Sequence, residues 1–299
     1  MRTKSLTFRT PGGVGQIIGR SLLVGLGYIV GTMVSGMVVG ALGLQQPTLP
    51  SGVEPTMVMV MIFISGLLLG PTLGALSRRL PLPTLHRSAV IFFLLFMAHY
   101  LVIIVEGVFF TTTGGLNLGF NLVNGTVTSL VAGSLIAVLF PPGQVEEGLL
   151  AALRRYFAQR KWTTWAWRLS LAAVLYVPIY LIMGMIVAPV VTPYYTDPAL
   201  GLGLVIPGFE VMLPVEILRG AIFVVGLLPV IAVWQGSRSS LALWLGLTIV
   251  VLGAVAPMLQ AYFLPLTLRL VHGMEITIDS LLQGLVYAWL LWVEFKEGG

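Results

Sequence analysis

The sequence predicts an all-α integral membrane protein with eight transmembrane helices in a parallel 4+4 internal repeat and both termini cytoplasmic. Of 299 residues, 57% are hydrophobic and 9% charged, with mean hydropathy +0.99; a soluble domain carries charge on about a quarter of its residues. Eight stretches are apolar for the roughly 20 residues that a spanning helix needs, and their apolar runs are continuous rather than alternating, which excludes a barrel. Basic residues concentrate in alternate connections.

The spans are read at about 20–42, 56–76, 88–110, 121–141, 168–191, 213–234, 240–263 and 274–294. A basic tail, MRTKSLTFRTPGGVGQIIGR, precedes the first span, which is read as a retained helix because no convincing cleavage site follows. The connections 77–87, 142–167 and 235–239 are basic or mixed, whereas 45–55, 111–120, 192–210 and 264–273 hold a single basic residue, Arg269. The positive-inside rule therefore places the tail and the first set in the cytoplasm, in a cell's inner membrane. The net charge of +5 follows from these loops and does not call for nucleic acid.

Three segments result. Residues 1–143 form the first repeat with its tail, 144–167 a cytoplasmic linker, and 168–299 the second repeat. In the linker, Leu149, Leu150, Leu153, Tyr156 and Phe157 fall at helical spacing among Arg154, Arg155, Arg160 and Lys161, and Trp162, Trp165 and Trp167 follow. That pattern reads as a helix lying in the inner interface, or as a docking site for a cytoplasmic partner. Pro71, Pro178, Pro229 and Pro257 interrupt the backbone ladder inside spans. Gly31 with Ser35, and Gly36 with Gly40, offer small-residue packing faces in the first span.

The repeat is read from local matches. Arg20, Tyr28 and Gly36-Met37 of the first span align without a gap on Arg168, Tyr176 and Gly184-Met185 of the fifth. Glu106 aligns on Gln260, Ser65-Gly66 on Arg219-Gly220, and Thr128-Ser-Leu on Asp279-Ser-Leu. Four spans per repeat make the two halves enter the membrane in the same direction, so a site is expected at their interface.

The last span carries the strongest functional signal. His272, Glu275, Asp279 and Gln283 lie at i, i+3, i+7 and i+11, which puts them on one helix face. A titratable stripe inside a membrane must face protein, water or a ligand. The aligned face of the fourth span, Asn121, Asn124 and Thr128, is neutral. Glu106, His99, Glu216 and Arg219 complete an expected outer polar cluster. Arg219 reads either as an anion-binding or gating cation matched to Glu106 or Asp279, or as a side chain that snorkels outward or pairs with Glu216 for stability. Glu106 and Asp279 read either as proton-coupling groups or as carboxylates solvated at helix ends; Glu275 and Asp279 would also favour an N-terminal helix dipole.

No catalytic residues, metal or cofactor are assigned. The chain has no cysteine, HExxH, P-loop, nucleophile elbow or strand-based dinucleotide motif. Three readings stay open. One is a permease-like protein that binds a small polar or anionic solute, or a lipid headgroup, in an outward vestibule. Another is a non-catalytic subunit or assembly factor held to a membrane-protein partner. The third is an intramembrane enzyme acting on a lipid-linked substrate, which requires His272, Glu275 and Glu106 to converge.

Overall fold

The computed structural model describes residues 13–47 and 52–295, and among these it is helical, with no strand. The basic tail over residues 1–12 lies outside the described residues. Seven helices are long and apolar enough to cross a membrane. This is the build of a polytopic helical membrane protein.

The helices run α1 Val14–Ala41, α2 Pro55–Ser77, α3 Thr84–Leu95, α4 Val102–Phe110, α5 Leu118–Leu139, α6 Leu149–Ala158, α7 Trp162–Val174, α8 Tyr176–Thr196, α9 Phe209–Ala232, α10 Arg238–Ile249, α11 Ala256–Gln260 and α12 Leu266–Leu291. Two joints are π-helical. Phe96–Leu101 links α3 to α4, and Val250–Val255 links α10 to α11. Such wide turns are rare and frequently mark functional places.

Two sequence expectations shift. The fifth span is broken at Leu175, where ψ is −13°. Pro178 has no N–H for the Val174 carbonyl four residues back, so the ladder fails at that turn. Pro71 and Pro229, in contrast, sit inside the continuous helices α2 and α9. The last helix starts at Leu266, directly after Pro265, about two turns earlier than the apolar run indicated. Glu275 and Asp279 are therefore well inside α12, beyond the reach of its N-terminal dipole, which acts over the first turn.

In the first half, α1 packs on α2 and α5, and α3 packs on α5. In the second, α7 and α8 pack on α9, and α8 and α10 pack on α12. Between the halves, α2 meets α11 and the second π segment, while α9 meets α3, α4 and the first π segment. The two π segments also touch, and His99 Nδ1 lies 2.6 Å from the Leu252 carbonyl oxygen. One apolar core runs through both halves, from Val24, Leu69 and Leu94 to Leu227, Leu245 and Tyr287. Leu22, Leu26, Val30, Met33 and Met37 of α1 face outward, as lipid contact requires.

Of the two small-residue faces in α1, one is packed. A Cβ on Gly31 would lie 2.9 Å from Thr128 Cα, whereas Gly36 and Gly40 have nothing within 4 Å.

Helix α6 docks on the bundle with the face that the sequence assigned to the bilayer surface. Ala152 and Tyr156 are buried, and the Tyr156 ring packs 4.5 Å from that of Trp165, centroid to centroid. Leu150 and Trp162 remain exposed. The Tyr156 hydroxyl donates to the Leu291 carbonyl at 2.8 Å. Burial raises its pKa and keeps it a donor. Arg160 Nη2 donates to the Trp292 carbonyl at 2.8 Å, Arg168 Nη1 to that of Leu290 at 2.5 Å, and Arg238 Nη2 to that of Trp289 at 3.0 Å. Together they satisfy the carbonyls that a helix C-terminus leaves open, with cations at its negative end.

Candidate functional site

Four elements bring the sequence-predicted charges together. Helix α4 supplies Glu106; α9 supplies Glu216 and Arg219, one turn apart; α12 supplies its stripe; and α8 supplies Tyr176 and Tyr180. The close packing of α9 against α7, α8 and α4 delivers Arg219 to the middle of the group.

Both terminal nitrogens of Arg219 are engaged. Nη1 donates to both Glu216 carboxylate oxygens at 3.0 Å, and Nη2 donates to Glu106 Oε2 at 3.1 Å. Its guanidinium also lies 5.6 Å from the ring centres of both Tyr176 and Tyr180, within cation–π range. Glu216 is completely buried and Arg219 nearly so. Arg219 thus pairs with Glu216 on its own helix and with Glu106 on α4, a partner from each of the two sequence readings.

His272 continues the chain of contacts. Its Nδ1 is 2.6 Å from Glu275 Oε2, and its Nε2 is 3.9 Å from Glu106 Oε1. A polar path thus runs Glu216–Arg219–Glu106–His272–Glu275 across three helices. Asp279 and Gln283 extend it one and two turns further along α12. They are only 5% and 3% exposed, so Asp279 is not a solvated helix-end carboxylate. Asp279 Oδ1, Gln283 Oε1 and Arg219 Nε have no hydrogen-bond partner. All three side chains line one cavity, together with Glu106, Tyr176, Tyr180, His272, Glu275 and Ser280. The cavity leaves about 40 Å³ for water-sized spheres, and Val102, Phe223, Ile249 and Gly253 close its apolar side.

The remaining candidates form a separate, neutral network. His99 Nε2 lies 3.0 Å from the Tyr28 hydroxyl, which accepts from the Tyr100 hydroxyl at 2.7 Å. On α5, Asn124 Oδ1 accepts from Ser35 at 2.7 Å and from Thr128 at 3.4 Å. Asn121 lies a turn earlier on α5 and is half-buried. His99 is therefore a hydrogen-bonded core residue held across the interface of the halves, outside the charged cluster. No group of three His, Asp or Glu among the described residues is placed to hold a metal ion.

Sequence reasoning missed Tyr180, Phe223 and Ser280 as lining residues, and read Tyr176 only as a repeat match. The available signal was the i, i+4 spacing of Tyr176 and Tyr180, which stacks two rings on one helix face. Nothing in the sequence indicated that this face meets Arg219.

Fold and site together define a multi-pass membrane protein with a buried acidic cluster around one arginine. No protein-family model, no curated protein and no solved structure matches the chain.

Proposed function

We propose that the chain is a permease-like membrane protein of eight spans, built as two parallel four-helix repeats, whose cavity takes a small polar solute of cationic or hydrogen-donating character. One observation carries the choice of ligand. Glu106, Glu216, Glu275 and Asp279 bring four carboxylates, against one arginine and one histidine. With every group ionised, the cluster carries two surplus negative charges. A buried surplus of that size is costly unless positive charge or protons enter. The anionic solute expected from Arg219 alone fits less well, because two carboxylates already hold that guanidinium.

Several registers support the repeat. The two π segments, Phe96–Leu101 and Val250–Val255, are displaced by the same interval as Glu106 and Gln260. A Cβ on Gly66 would meet Tyr28 Cβ at 2.7 Å, and one on Gly220 would meet Tyr176 Cβ at 2.8 Å. A Cβ on Gly133 would lie 2.9 Å from Phe92 Cα, and one on Gly284 2.7 Å from Gly246 Cα. Each pair is related by the intervals of the sequence match. The packing order of the two halves also agrees, with α2 crossing to α11 as α9 crosses to the α3–α4 span. Counting α12 as the eighth span returns both termini to one face, the cytoplasmic one by loop charge.

A second reading draws on the convergence of His272 with Glu275 and Glu106. An intramembrane enzyme would use His272 as a general base oriented by Glu275. The small cavity favours the permease reading, since a lipid-linked headgroup needs more room.

Charge displacement on supported proteoliposomes tests the proposal. Small cations and polar amines should evoke currents in the wild type that vanish in Glu106→Gln. A folded protein silent to every such solute, yet able to convert a lipid extract in a His272-dependent way, would transfer the case to the enzyme.

A further inference from the structure

We infer that the inner end of this cavity, at Asp279 and Gln283, is a binding site for a small monovalent cation of the sodium class. The inference rests on the permease-like reading but makes a claim that is tested separately.

The acidic cluster divides into two parts. In the outer part, each carboxylate has a cation or histidine against it: Glu216 and Glu106 on Arg219, and Glu275 on His272. In the inner part, Asp279 has none. Its Oδ1 is buried without a partner, and so is Gln283 Oε1, one turn further along the same face. Two unmet acceptor oxygens at i, i+4 lie roughly 5–6 Å apart at their Cβ atoms. Both line the cavity, with Ser280 between them in sequence. Buried polar atoms of this kind are few in native proteins and call for an unseen partner.

The donor set selects the partner. One carboxylate with amide and hydroxyl oxygens is a hard, oxygen-only set of low charge, suited to a weakly held cation. Among the described residues, no group of three His, Asp or Glu is placed to hold a metal ion together. Size agrees: a cavity of about 40 Å³ holds an ion with one or two waters. The second π segment packs on α12 and contributes Gly253 to the cavity wall. Irregular backbone at a helix break is where membrane transporters hold coupling cations. The groups facing Asp279 across the cavity are Glu275 and His272 on its own helix, Arg219 on α9, Glu106 on α4 and the two tyrosines of α8.

The test is cation binding by the purified full-length chain in nanodiscs, at fixed pH and ionic strength balanced with N-methylglucamine chloride. Radiolabelled sodium should bind saturably, one ion per chain, with unlabelled sodium competing better than potassium. Asp279→Asn should weaken binding at least tenfold, and Gln283→Leu threefold or more. Glu54→Gln, remote from the cavity, should leave it unchanged. Retained far-UV circular dichroism and monodisperse elution certify that each variant folds. Binding without any transported solute would keep this inference and remove the permease reading. Solute currents driven by protons, with no saturable sodium binding in the wild type, would overturn the inference and keep the permease. Binding that survives Asp279→Asn in full would also overturn it.

Discussion

Replacing Arg219 with methionine removes the guanidinium but keeps most of the side-chain length. Three charge-assisted hydrogen bonds disappear, two from Glu216 and one from Glu106. The two acids respond differently. Glu106 is 31% exposed and can take water instead, whereas Glu216 is fully buried and can take none. The loss is therefore set by one stranded buried carboxylate, about 3–5 kcal/mol. Converting Glu216 to leucine in the same chain removes the stranded charge. The double variant Arg219→Met/Glu216→Leu should recover to within about 1.5 kcal/mol of wild type, because apolar replacement of a buried pair is often neutral. The cycle then gives a coupling of at least about 1.5 kcal/mol, the smallest single loss less the largest double loss, even if Glu216→Leu alone costs nothing. Reversible unfolding in mixed dodecyl sulfate micelles, followed by tryptophan fluorescence, measures all four corners. Additive single costs, or an Arg219→Met loss under about 1 kcal/mol, would refute the paired-arginine description.

Gly66→Ala and Gly220→Ala should each cost about 1–3 kcal/mol in the same unfolding assay, since the new methyl meets Tyr28 or Tyr176. Gly36→Ala meets nothing and should be neutral or stabilising by up to about 1 kcal/mol. Tyr156→Phe should lose about 0.5–1.5 kcal/mol with the bond to the Leu291 carbonyl, and should raise the hydrogen exchange of the last turn of α12. His99→Leu leaves the proton of the Tyr28 hydroxyl without an acceptor and should cost about 1–3 kcal/mol, while sodium binding changes less than about twofold because the neutral network is separate.

Much of this molecule is legible in the linear chain. Hydropathy locates the spans because lipid imposes a length on every helix, and the i, i+3, i+7 stripe marks the polar face of α12. Glu106, Arg219 and the stripe do converge, because each belongs to a helix face too polar for lipid. The break at Leu175 was not readable from Pro178, since Pro71 and Pro229 have the same local chemistry and leave their helices whole. The pairing of Arg219 with Glu216 was legible from the i−3 spacing, whereas only packing selects Glu106 as its second partner. The π segments have no compositional mark, and they emerge from how the halves meet.

The cation clamp on the carbonyls of α12 has a mechanical meaning. It fastens one end of the helix to α6, to α7 and the connection between them, and to the start of α10. Any tilt of α12 must then pivot at that end, with the rest of the helix as a lever arm. At 1.5 Å per residue, Glu275 stands about 24 Å from the pivot, and a tilt of about 5° carries it sideways by about 2 Å. Glu275 and His272 travel together, so the 2.6 Å contact between them rides along intact. The joint that opens and closes is the 3.9 Å span from His272 to Glu106 on α4. A fixed fulcrum at one membrane face would thus make the charged cluster at the other the place where helix motion is felt most.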